Sequence, residues 1–336
     1  MAAKLMAVTL VTVIVHLVLA AAAFGDAAAG GNSSAHLAGT IPLDGVEGRI
    51  DHMAATPDGH RLFVAAIGSN RVIQIDTEAA KVTGIIRYVS APQGVCYLRK
   101  SGQIAVASGG SGDLLFFTGA LAPLGTVRGL DDADNVRYDA DANLVYTGYG
   151  AGALAVIDPA MAVQTAKIPL DGHPESFQLE ARGTRLFVNV PAQDEIEVFD
   201  RANRVLLNEW KLKDGAGNFP MALDEEHKRL FIGTRRPPRM LVLETEAGKE
   251  IAMLSACGDT DDLFYDSASK LIYLSGGQGC VDVFRQSDSA TYERVGTIST
   301  LPGARTSLLV PSTHRLYVAV PHRGTQRAEL MVFVTP

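Results

Sequence analysis

The chain has 336 residues, 47% of them hydrophobic and 20% charged, with 33 glycines and 15 prolines. That composition supplies a sizeable core and excludes a wholly disordered chain. The formal net charge of −7 provides no global attraction for phosphate backbones or anionic lipid, which disfavours nucleic acid as a partner.

In chain order, the first feature is an export signal over residues 1–25. Lys4 supplies the positive start, and Leu5 to Ala23 is an apolar run broken only by His16 and two threonines. Small residues at Ala23-Phe24-Gly25 and Ala27-Ala28-Ala29 offer cleavage sites. An uncleaved anchor is the alternative, because about nineteen apolar residues nearly span a bilayer; the small-residue tail favours cleavage. The expected location is therefore the periplasm or the exterior, with no membrane attachment after cleavage. Residues 26–36, rich in Ala, Gly, Asn and Ser, read as a flexible lead-in.

From residue 37 to 336 one pattern repeats. A basic or polar residue, then Leu or Ile, then apolar residues occurs as Arg61-Leu62-Phe63-Val64, Gln103-Ile104-Ala105-Val106 and Asn143-Leu144-Val145-Tyr146. It recurs at Arg185-Leu186-Phe187-Val188, Arg229-Leu230-Phe231-Ile232, Lys270-Leu271-Ile272-Tyr273 and Arg315-Leu316-Tyr317-Val318. The Leu or Ile positions lie 42, 40, 42, 44, 41 and 45 residues apart. An apolar strand and a polar turn precede each occurrence. A Gly- or Pro-bearing loop and a strand often closing in Asp follow it, as in Val72 to Asp76, and a fourth strand completes the unit. Four short strands joined by turns predict one antiparallel blade, and blades bury their faces by packing radially. The predicted fold is all-β, a seven-bladed β-propeller of four-stranded antiparallel blades. The last repeat ends at its third strand, Glu329 to Val334, while Leu37 to Leu43 precedes the first repeat with no blade of its own. That segment is predicted to complete the last blade and close the ring.

Leu62 to Asp76, and Val145 to Gly148 with Leu154 to Asp158, resemble the YVTN-type repeat of secreted bacterial YVTN/YncE-like propellers. The resemblance runs from about residue 36 to the end and implies an exported protein with a central funnel. Several repeats depart from the Y-V-T-N wording, and propellers host many functions, so it implies no particular reaction. WD and kelch propellers fit poorly: Trp210 is the single tryptophan and no Trp-Asp pair occurs.

In such a ring the starts of the innermost strands rim one mouth. Those positions hold Asp51, His52, Gln93, Asp134, Asn135, His173, Glu175, Asn218, Asp261, Asp262 and Arg305, with Arg235, His322, Tyr149, Gln278 and Arg323 in the surrounding loops. Carboxylates and imidazoles at a common axis predict either a solvated funnel or a divalent cation on some of Asp51, His52, Asp134, His173, Asp261 and Asp262, with Ca²⁺, Mn²⁺ and Zn²⁺ as the options. Asp259-Thr260-Asp261-Asp262 carries three carboxylates that repel one another unless a cation meets them. Basic loops at Arg235-Arg236-Pro237-Pro238-Arg239 and His322-Arg323 offer anion recognition. Gly109 to Gly112 and Gly276 to Gly279 open no helix, so they read as tight strand connections rather than phosphate cradles. No Ser-elbow, His-Glu-x-x-His or haem motif is present. The leading expectation is a monomeric protein binding a small molecule or a protein at its acidic mouth, and the alternative is a metal-dependent hydrolase, lactonase or lyase. For Cys96, Cys257 and Cys280, three buried thiols are favoured over a Cys257–Cys280 bridge.

Overall fold

The computed structural model describes residues 35–336; the expected signal and most of the lead-in lie outside them. Seven four-stranded antiparallel sheets form the blades of a β-propeller. The only helical pieces among the described residues are two single 3₁₀ turns, Ile67–Ser69 and Pro311–Thr313, and no described helix is long and apolar enough to cross a membrane. The innermost strands are Met53–Ala55, Pro92–Leu98, Val136–Asp139, Phe177–Leu179, Ala216–Asp224, Thr260–Asp266 and Ser307–Val310. In the first six blades the chain then runs outward through all four strands, and in the seventh through three.

The repeated signature is the second strand of each blade. Leu62, Phe63, Val64, Ala65 and Ala66 are all fully buried, because neighbouring blades cover both faces of the strand. A strand buried on two sides reads as a continuous apolar run rather than an alternation. The polar residue ahead of several of these strands closes a tight turn. Asn143, Lys228, Lys270 and His314 all sit there with left-handed φ of 50–58°, and Gly102 does so at 72°, a backbone region that glycine and asparagine tolerate best.

The hydrophobic cores lie between blades. Val72 and Ile86 of the first blade pack with Val95 and Ile104 of the second, and the pattern continues round the ring. Closure follows the expectation. The strand His36–Pro42, starting one residue before the predicted 37, pairs antiparallel with Glu329–Val334, placing Ile41 opposite Leu330. Ile41, Leu43, Val46 and Ile50 then join Leu62, Val64, Ala319 and Leu330 in one core. The N-terminal segment therefore seals the seam between the last blade and the first.

One expectation is corrected. Cys257 and Cys280 form a disulfide with their Cα atoms 6.0 Å apart, a separation within the ordinary range for a bridge. Cys257 follows the outer strand of one blade and Cys280 begins the third strand of the next. Their proximity is a property of the ring and has no local sequence signal. Only Cys96 is free.

Candidate functional site

The mouth residues are held by backbone pairing that extends each inner strand. The Asp51 amide donates to the Ala65 carbonyl (2.7 Å), that of Asp134 to Gly148 (3.0 Å), and that of Glu175 to Asn189 (3.0 Å). Gly94 lets the second blade pass close behind Asp134; a Cβ there would collide with the Asp134 carbonyl oxygen. These side chains project from a rigid scaffold, which suits a preformed site.

Asp51, His52, Gln93, Asp134, His173, Glu175, Arg235, Asp261 and Arg305 line a single cavity of about 240 Å³, joined by Arg49, Asp132 and Phe219. Two halves differ in character. On one side Asp51, Asp261 and the adjacent Asp262 have cationic partners from the protein. Asp261 lies 2.6 Å from Arg235 Nη2 and 2.8 Å from Arg305 Nε. Asp51 meets Arg49 at 3.3 Å, and Asp262 meets His52 at 3.2 Å while accepting the Ser307 amide at 2.8 Å. The Arg235 guanidinium also stacks 3.4 Å from the Phe219 ring centre. Burial works against charge on His52, but Asp262, Asp51 and Asp134 outweigh it and hold the imidazole above its usual range. Burial likewise raises Asp261, with Arg305 opposing.

On the other side Asp134, His173 and Glu175 have no such partners among the described residues. Each offers a ligand atom, and the three atoms lie within 4.8 Å of one another. Asp134 is 8% exposed, and its Oδ1 has no hydrogen-bond partner among the described residues. His173 Nδ1 stands 2.6 Å from the Gly150 carbonyl oxygen. A carbonyl only accepts, so Nδ1 carries the proton, which leaves Nε2 as the ligand atom of the neutral imidazole, the arrangement common in metal-binding histidines. Burial pushes the Asp134 and Glu175 carboxyls well above the ordinary range, and Asp261 adds to both. Three buried donors of this kind fit a divalent cation better than they fit one another.

The remaining predicted residues lie elsewhere. Asn135 and Asn218 are buried, and Asn218 ties Asn189 to the Glu195 carbonyl at 2.8 Å each, a structural role. His322 pairs with Glu47 at 2.7 Å beside Arg323, lining an adjoining cavity of about 300 Å³. Gln278 accepts the Gly258 amide, and Lys167 covers the Tyr149 ring. Arg239 turns away to Asp214. Sequence reasoning missed Arg49, although it lies two residues before Asp51 on the same approach to the axis. It also missed Asp132, which accepts from Gln93 Nε2 at 3.1 Å.

No protein-family profile and no curated protein matches this sequence. Solved structures do match in shape. A chain of the hydrazine synthase of Kuenenia stuttgartiensis aligns at TM-score 0.72 and 17% identity, over 84% of this chain and 96% of that one. The WD40 repeats of RRP9 align at TM-score 0.78 and 11% identity, over 89% and 97%. A chain of the mitotic checkpoint complex aligns at 0.77 and 12%, over 99% of each. At such identities the likeness extends to the propeller fold alone.

Proposed function

We propose that this chain is an exported ligand-binding propeller of the YVTN/YncE-like kind whose mouth holds a divalent cation on Asp134, His173 and Glu175. The observation that carries the reading is the buried Asp134 Oδ1, unpartnered among the described residues, with ligand atoms of His173 and Glu175 within 4.8 Å. A ligand set of two carboxylates and one imidazole suits Mn²⁺ or Zn²⁺ better than Ca²⁺, which prefers oxygen alone. Three protein ligands leave coordination positions open. Arg49, Arg235 and Arg305 share the cavity with spare N–H donors, so a small polar ligand with an anionic group would span the two halves. Export is supported by the Leu5 to Ala23 run and by the Cys257–Cys280 bridge, since structural disulfides persist in oxidising compartments.

The open positions also favour a second reading, a metal-dependent hydrolase, lactonase or lyase, because a water held there would be acidified. The deciding experiment is elemental analysis of the purified protein before and after EDTA, followed by calorimetric titration with Mn²⁺ and Zn²⁺. About one equivalent is expected, removed by EDTA and lost in Asp134→Asn and His173→Ala. No bound metal and no heat of binding would end the cation reading and leave a metal-free funnel. Lactone and ester turnover by the loaded protein separates enzyme from binder.

A further inference from the structure

Below the mouth, the innermost strands enclose a second cavity of about 390 Å³ along the propeller axis, a size typical of small-molecule sites. Strand pairing puts one residue of each blade in register there. Met53, Val95, Val136, Phe177, Met221, Leu263 and Ser307 all face the second strand at equivalent places. The next residues are Ala54, Cys96, Arg137, Gln178, Ala222, Phe264 and Leu308. Six of these seven are neutral and the third blade alone supplies a charge at this level; the other charged residues lining the cavity, His52 and Asp262, pair with each other at 3.2 Å.

Arg137 is held without being neutralised. Its Nη1 donates to the Val136 carbonyl (3.0 Å), its Nη2 donates to Ser176 Oγ (3.3 Å), and its guanidinium carbon lies 5.4 Å from the Phe177 ring centre. These bonds engage two of the five N–H groups and fix the plane of the fork. Among the described residues no carboxylate forms an ion pair with it. An arginine stays protonated in proteins, and a guanidinium withdrawn from bulk water without a counter-charge is costly. A fixed fork that faces the cavity with three N–H groups unengaged and no direct ion pair is therefore built to receive an anion from outside.

We propose that the axial channel binds a small monocarboxylate with an apolar body, its carboxylate on Arg137 and its body against Phe264 and Leu308. The fork matches a planar carboxylate bidentately. Asp134 and Asp262 lie close enough for their charges to act on Arg137, and the chain carries −7 overall; both disfavour a dianion. The cavity is distinct from the one that holds the cation centre, and the binding proposed for it requires no bound cation.

The test uses the full chain, EDTA-treated so that no cation at the mouth contributes, titrated by calorimetry with benzoate, with its neutral analogue benzamide, and with inorganic phosphate. Saturable 1:1 binding of benzoate is expected, at least about tenfold tighter than either other compound. Arg137→Gln should abolish it. Ser176→Asp, which puts a carboxylate where Arg137 Nη2 now meets the Ser176 hydroxyl, should weaken it by offering Arg137 an internal carboxylate, and it carries the test if Arg137→Gln does not fold. No benzoate binding, equal binding of benzamide, or unchanged affinity in a folded variant would overturn the proposal.

Discussion

Arg305 Nε lies 2.8 Å from Asp261 Oδ2, and that contact decides which carboxylates of the mouth are available. With Arg235 on the other oxygen at 2.6 Å, Asp261 is a bridge between two guanidiniums. Asp261→Asn is expected to leave Mn²⁺ affinity within about threefold while costing about 3 kcal/mol of stability, because two partly buried cations lose the charge between them. Asp134→Asn should reverse the pattern, losing at least tenfold in affinity with little change in stability. Calorimetric titration and urea unfolding of both variants make the comparison. Equal loss of metal in the two would mean that the cation, if bound, sits nearer Asp261.

The same contact marks where the sequence stops being readable. The blade number was legible because each second strand is covered on both faces and so announces itself as an unbroken apolar run. Closure was legible because Leu37 to Leu43 had no other blade to join. The identities of most mouth residues followed from the starts of the inner strands. Partnership did not. Asp259-Thr260-Asp261-Asp262 reads as a cluster in need of a cation, and the protein meets it with Arg235 and Arg305 from the blades on either side and His52 from the first blade. Glu175 drew less notice than that cluster, yet it stands with Asp134 and His173. The disulfide and the place of Arg137 were hidden for the same reason: both depend on the rotation between adjacent blades.

Closure of the ring gives a second prediction. Ile41 is 2% exposed in the core joining the last blade to the first, and Ile41→Ala should cost about 2–5 kcal/mol. That corresponds to a fall in melting temperature of roughly 4–10 °C. Deleting residues 36–42 should do more, baring the edge of Glu329–Val334 and producing aggregated or unfolded protein on size-exclusion chromatography. A monodisperse deletion variant with an unaltered melt would show that the last blade stands on three strands.

The Cys257–Cys280 bridge spans 23 residues, and closing a loop of that length stabilises by about 3 kcal/mol. Dithiothreitol should therefore lower the melting temperature by several degrees. Cys257→Ser/Cys280→Ser should match the reduced wild type and respond no further to reductant. A reductant effect that survives in the double variant would have to come from elsewhere in the protein.

Glu197 provides a test of pH linkage away from the mouth. It is 2% exposed, its Oε1 accepts the Asp171 amide at 2.8 Å, and it faces Glu209 across a strand pair. Glu195, two residues before it, is paired with Lys211 at 2.6 Å. Burial raises the Glu197 carboxyl to about 7 from its ordinary 4.5; the Asp171 amide opposes this, and the charges of Asp171, Glu195 and Glu209 reinforce it. Between those two values the folded state holds the proton more firmly than the unfolded chain does. This group's contribution is then most favourable at low pH and is lost as pH rises towards about 7. Glu197→Gln keeps the Oε1 acceptor and removes the titration. It should be more stable than the wild type by about 1–3 kcal/mol at pH 8, with the gap closing near pH 4.5. Urea unfolding of both proteins across that range measures the gap directly, and a difference that stays constant with pH would show that Glu197 is ionised at no cost to the fold.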